Sequence, residues 1–125
     1  MPPYDTSYNP PAPVADVVVA HPVRGARRHA LRGKLDSGAD TTLIPWRLVT
    51  RLGLTPQGHA WTRGFDGTYT RRLVFYVRMR VEGFDVPSVR CVAADRATVL
   101  VGRNVLNRFL VVLDGKNLSF DLQDP

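Results

Sequence analysis

Residues 35–45 read Leu-Asp-Ser-Gly-Ala-Asp-Thr-Thr-Leu-Ile-Pro, and residues 99–106 read Val-Leu-Val-Gly-Arg-Asn-Val-Leu. The first stretch sets an acidic side chain, Asp36, immediately before a hydroxyl and a glycine. The second is an apolar run that stops on Gly-Arg-Asn. Either alone is a weak signal; paired, in this order, they decide the reading. Gly38 lets the backbone bend tightly with no side chain in the way, and the Ser37 hydroxyl is placed to fix the turn by hydrogen bonding.

Together the two stretches resemble the retropepsin family of aspartic proteases, over roughly residues 14–122. The resemblance implies an all-β chain with one or two short helices: a retropepsin-like acid protease half-barrel closed by homodimerisation. It makes Asp36 the catalytic carboxylate and Ser37 and Gly38 its active-site turn. Chemistry of this kind holds two carboxylates too close for both to ionise, so that one acts as base toward water while the other acts as acid. The chain carries a single Asp-Ser-Gly. Asp66-Gly67 and Asp114-Gly115 read as hairpin turns. One chain thus supplies one carboxylate, and a working dyad needs a symmetric homodimer.

The implied activity is an aspartic endopeptidase acting on protein or peptide substrates, using water and neither metal nor cofactor. By the same resemblance, Ala39 and Asp40 lie beside the bound peptide, Leu43 and Leu100 line apolar pockets, and Arg103 braces Asp40 with a two-pronged ion pair. Gly64-Phe65-Asp66-Gly67 falls where the family carries its flap, a hairpin that closes over the peptide. Lys34 departs from the pattern, which has an apolar residue two places before the catalytic Asp. On a strand Lys34 shares a face with Asp36 and projects into the cleft, favouring an acidic substrate side chain or a lower working pH; alternatively its stem reaches solvent. The rival function is a non-catalytic dimeric peptide-binding or scaffold module that keeps the fold.

Outward from the motifs, residues 1–13 hold five prolines and few apolar residues, a composition for an extended or mobile tail; residues 14–125 form the protease-like domain. Val14–Ala20 and Arg28–Leu35 read as strands. Pro45 and Gly53 bracket a short helix. Trp61–Arg72 reads as a hairpin, and Leu73–Val81 alternates apolar and polar residues before turning at Glu82-Gly83 into Phe84–Ala94. Val99–Val101 reads as a buried strand and Asn104–Leu110 as a helix. Val111–Asp114 and Leu118–Leu122 form a last hairpin that the compact retroviral enzymes lack, expected to contribute to the dimer sheet.

Composition sets the bounds. At 125 residues and 44% hydrophobic, the chain builds one modest core. It contains no apolar run of membrane-spanning length and no secretion signal. Cys91 is its single cysteine, which favours a reducing cytoplasm and reads as a core residue. The net charge of +6 comes mostly from arginine, with Arg24, Arg27, Arg28 and Arg32 densest. No aromatic platform or helix-turn-helix pattern accompanies them, so a solvated hairpin is expected rather than a nucleic-acid interface. His21, His29 and His59 show no metal-ligand spacing.

Overall fold

Alternation of inward and outward side chains, clearest over residues 75–81, marks the strands that this sequence rolls into a barrel. In the computed structural model, which describes residues 1–125, the elements follow as β1 (Val14–Ala20), β2 (Arg28–Leu35), β3 (Thr42–Pro45), α1 (Trp46–Leu52), β4 (His59–Arg63), β5 (Tyr69–Val81), β6 (Phe84–Ala94), β7 (Val99–Val101), α2 (Arg103–Leu106), β8 (Leu110–Asp114) and β9 (Ser119–Gln123). Hydrogen bonds run β1-β2-β7-β3-β6-β5 and return from β5 to β1, with β4 attached outside on β5. The mostly-β, retropepsin-like architecture is as the sequence implies. The strand ring itself closes within one chain.

Phe75, Val77, Met79 and Val81 of β5 point inward, where each is fully buried, while Tyr76, Arg78 and Arg80 point out. They meet Val17 and Val19 from β1, Val86, Val89 and Cys91 from β6 and Val99 and Val101 from β7. Each such apolar side chain contributes about 1.5–3 kcal/mol on burial. Gly33 of β2 also faces inward, and a Cβ there would lie 2.7 Å from a methyl of Val17 and 3.0 Å from one of Val101. Neighbouring side chains have filled its place. β5 and β6 join through Glu82 (φ 47°) and Gly83 (φ 84°), the tight primed turn that suits twisted strands.

The structure revises three expectations. β3 was hidden inside the first motif; four residues long, it pairs in parallel with β6 and antiparallel with β7. The hairpin strand and its successor fuse into one 13-residue β5. The helix predicted over Asn104–Leu110 shrinks to Arg103–Leu106, because Phe109 turns onto Phe84 (ring centroids 5.4 Å apart) and the chain then extends into β8. α1 ends as expected, on Gly53 in the left-handed region (φ 67°).

β8 and β9 make a separate two-stranded sheet. Within residues 1–13, expected as an extended or mobile tail, only residues 2–4 run along it. Tyr4 N donates to Leu118 O (2.7 Å), Phe120 N donates to Pro2 O (3.0 Å), and the Tyr4 ring lies 6.5 Å from that of Phe120. Asp5 and Ala12 then exchange two backbone hydrogen bonds (2.7 and 3.2 Å), pinching the intervening residues into a loop.

Cys91 is fully buried on β6, its thiol facing Phe75 O, and burial pushes its pKa up to about 12. Only a thiolate reacts readily with disulfide reagents. At pH 8 such a reagent is expected to leave the native protein unlabelled and to label one thiol once urea unfolds it; rapid native labelling would contradict this packing.

Candidate active site

Asp36 leaves the barrel where two parallel strands end together. Gly33, Lys34 and Leu35 of β2 lie beside Val99, Leu100 and Val101 of β7, and Asp36 N carries that ladder one step further by donating to Val101 O (3.0 Å). The chain then turns sharply, with Ala39 N donating to Asp36 O (3.2 Å). Gly38 N donates to Asp36 Oδ1 (2.8 Å), and a Cβ on Gly38 would sit 3.1 Å from that oxygen. The glycine is thus favoured by the carboxylate's close approach rather than by a left-handed backbone. The Ser37 hydroxyl, expected to fix the turn, makes no hydrogen bond within the chain; the residue contributes its carbonyl instead.

That carbonyl is held by the second motif. Arg103 Nη1 donates to Ser37 O (2.7 Å), Nη2 donates to Asp40 Oδ1, and Arg103 N donates to Ala39 O (2.8 Å). One residue therefore grips the turn at three points. Asp40 is 84% exposed, so the ion pair alone adds little stability; its value lies in geometry. Gly102 passes so close that a Cβ would fall 2.8 Å from Thr41 C and 3.0 Å from Ala39 O. Here no side chain fits at all.

Two residues that sequence reasoning passed over complete the interlock. Thr42, the one fully buried polar side chain, donates through Oγ1 to Asn104 Oδ1 (2.8 Å) and accepts from Gly102 N (3.1 Å). Asn104 Oδ1 also receives Thr42 N (3.1 Å), while its Nδ2 donates to Arg90 O (2.7 Å). The signal was the Asn that closes the Gly-Arg-Asn run, which had been read only as a helix start.

Asp36, Ser37 and Arg103 open onto a depression walled by Leu35, Leu106, Phe109, Val111 and Leu113. On the other flank, Leu100 pairs with Leu43, and Leu43 lies under the β4–β5 hairpin together with Arg63, Gly64, Asp66 and Arg72. The hairpin tip is closed by Gly64 N to Thr68 O (2.9 Å) and by Thr68 N to Asp66 Oδ1 (2.9 Å), and hydrogen bonding from Thr68 holds the Asp66 carboxyl below its ordinary pKa. Phe65 stands fully exposed at the tip. Lys34 shares the outward face of β2 with Asp36, because Gly33 and Leu35 face the core. Of the arginines in the basic stretch, Arg32 is engaged by Asp16 (2.5 Å) and Val14 O (3.1 Å), while Arg24, Arg27 and Arg28 are exposed.

Replacing Thr42 by Val keeps the shape and removes the hydroxyl, leaving Gly102 N unsatisfied in the interior. A loss of about 1–3 kcal/mol in urea-unfolding stability is expected. An unchanged midpoint would mean that the two motifs are not tied through this residue. Arg103→Lys keeps the charge but loses the fork, and a drop of about 0.5–1.5 kcal/mol is expected in the same measurement.

Set against known proteins, residues 22–105 match the model of the aspartyl protease family. No curated protein matches the chain. Among solved structures, the foamy viral protease-reverse transcriptase in complex with RNA/DNA hybrid aligns over 79% of this chain with a TM-score of 0.61 and 19% identity. This chain spans only 12% of that one. EIAV protease complexed with the inhibitor HBY-793 aligns over 77% of this chain and 86% of its own (TM-score 0.57, 21% identity). The simian foamy virus protease aligns over 76% and 92% (TM-score 0.56, 17% identity). At these identities the structures establish a shared fold.

Proposed function

The chain belongs to the aspartyl protease family, and from that premise we propose that it is an aspartic endopeptidase of residues 14–125 that works as a homodimer, with one Asp36 from each copy sharing a proton. The observation that carries this reading is the Asp36 turn itself: a carboxylate fixed by Gly38 N, braced from beneath by Arg103, and left open to an apolar depression. In the proposed reaction one carboxylate takes a proton from a water positioned between the pair, and the water attacks the peptide carbonyl. The other carboxylate protonates the carbonyl oxygen; the proton is then passed to the departing amine. Ala39, Asp40 and the β4–β5 hairpin flank the peptide, and closure of that hairpin around Gly64–Thr68 would order it and exclude water. No metal or cofactor enters this scheme, and the partner is a protein or peptide.

Dimerisation has a surface to use. One edge of β9 is covered by β8 and the other by residues 2–4, so the free edge of this small sheet belongs to β8. Leu110 and Leu113 on β8 are 51% and 52% exposed, beside the depression that Asp36 lines. An unpaired strand with apolar side chains invites pairing with its own copy. No helix of the chain is long and apolar enough to cross a membrane.

Asp36→Asn is expected to abolish cleavage of a diverse peptide library while leaving the sedimentation coefficient of the dimer unchanged. Leu113→Asp, by contrast, is expected to give a folded monomer with no cleavage, and dilution of the parent protein to lower its specific activity. Peptide binding without cleavage in both parent and Asp36→Asn would replace the enzyme with a binding module.

A further inference from the structure

Beside Asp36 stand two cations that no carboxylate neutralises. The ion pairs of the chain are Arg32–Asp16, Arg80–Asp85 and Arg103–Asp40; Lys34 and Arg96 take part in none. Lys34 is two residues before Asp36 on the same outward face of β2, next to Leu100 of β7. Arg96 lies in the β6–β7 connection and folds back onto the start of β7, where Nε donates to Thr98 O (2.6 Å) and Nη2 to Thr98 Oγ1 (3.4 Å). Its Nη1 has no partner. Thr98 precedes Leu100 by two residues, so both cations converge on one wall.

A third residue closes the group. The loop pinched by Asp5 and Ala12 carries Tyr8, whose ring centroid lies 5.4 Å from Lys34 Nζ. A ring at that distance steadies an ammonium and limits its sweep through solvent. Arg96 is half-buried, which pushes its pKa down, while Tyr8, once ionised, and the Asp36 carboxylate push it back up; its guanidinium is thus within electrostatic reach of both. A surface cation serving solubility alone would be neither tied at one edge nor partly desolvated. These two are held, Lys34 by the Tyr8 ring and Arg96 by Thr98.

We propose that Lys34 and Arg96, capped by Tyr8, form a subsite for an acidic side chain of the substrate, Glu or Asp, adjacent to the scissile bond. Leu100, half-buried between them and Leu43, supplies an apolar floor for the methylene groups of such a residue. The two cations supply charge-assisted hydrogen bonds to its carboxylate. This rests on the protease reading above, since the subsite is defined by its place beside Asp36.

The test uses peptides identical except for Glu, Gln or Leu next to the cleaved bond, assayed with the full chain at a pH where Glu is ionised. Glu is expected to exceed Gln in kcat/KM by about tenfold or more. The advantage should shrink as salt is raised. In K34M and R96Q the Glu-to-Gln ratio should fall part way, and in the double variant to about one; because the ratio is taken within each variant, a general loss of activity cancels. The same peptides, fluorescently labelled, are titrated against Asp36→Asn, where Glu should again bind more tightly. Equal or better use of Gln and Leu, or a ratio indifferent to both substitutions, overturns the subsite. Glu-selective binding with no cleavage in any form overturns the protease reading and keeps the subsite.

Discussion

The structure depends on one close approach: the backbone at Gly102 lies against the backbone at Ala39 and Thr41 with no room for a Cβ. Everything at the site follows from that contact. It brings Arg103 N to Ala39 O and its guanidinium to Ser37 O and Asp40. It also lets the Thr42 hydroxyl reach Gly102 N while giving its own proton to Asn104. The Asp36 turn would otherwise be a surface excursion between two strands, free to take many shapes. Clamped on its underside by backbone and buried hydrogen bonds, it presents one oxygen to Gly38 N and keeps the carboxylate aimed outward.

The barrel supplies the geometry that makes the contact possible. β2 and β7 run in parallel and end at the same level, so the loops that follow them leave side by side. Their near approach depends on Gly33, where two valine methyls take the space of a side chain and draw the strands against β1. Parallel neighbours cannot be joined by a tight hairpin. The chain between them builds β3, α1 and the long β4–β5–β6 excursion, returning with its second motif only after the core has been enclosed. That is why the two motifs are remote in sequence yet interlocked in space.

Much of this was legible before any coordinates. Alternation in β5, the Gly53 stop of α1 and the turn at Glu82-Gly83 are local signals, fixed by side-chain period and backbone conformation. Three things were not local. β3 carries the Thr-Leu-Ile of a motif already assigned to chemistry, and only its pairing with β6 and β7 makes it a strand. The second helix stops early because Phe109 finds Phe84, a partner 25 positions away in numbering. At the site, Asp36, Gly38 and Arg103 stood out as residue types, whereas Ser37 works through a carbonyl that every residue possesses. Thr42 and Asn104 matter through burial and pairing, which no single position announces. Arg96 and Tyr8 were invisible for a further reason: in a chain with a net charge of +6 one more arginine carries no signal until its neighbours are known.

Charge placement gives that surplus a meaning that a total cannot. Arg32, Arg80 and Arg103 are each answered by a carboxylate: Asp16 on β1, Asp85 on β6 and Asp40 on the Asp36 turn. Lys34 and Arg96 are unanswered, and they lie to one side of a carboxylate that, in the proposed reaction, must remain available. If either were to pair with Asp36 directly, the water of the proposed reaction would lose its base. Tyr8 and Thr98 resolve the conflict by holding the two cations to one side, Lys34 beneath an aromatic ring and Arg96 along a backbone carbonyl. In a symmetric dimer the arrangement would recur across the axis, giving one cationic wall on each side of the bond to be cleaved. Under that proposal the protein's basic character at the cleft would act as a filter on what enters, with the paired Asp36 carboxylates left free at its centre.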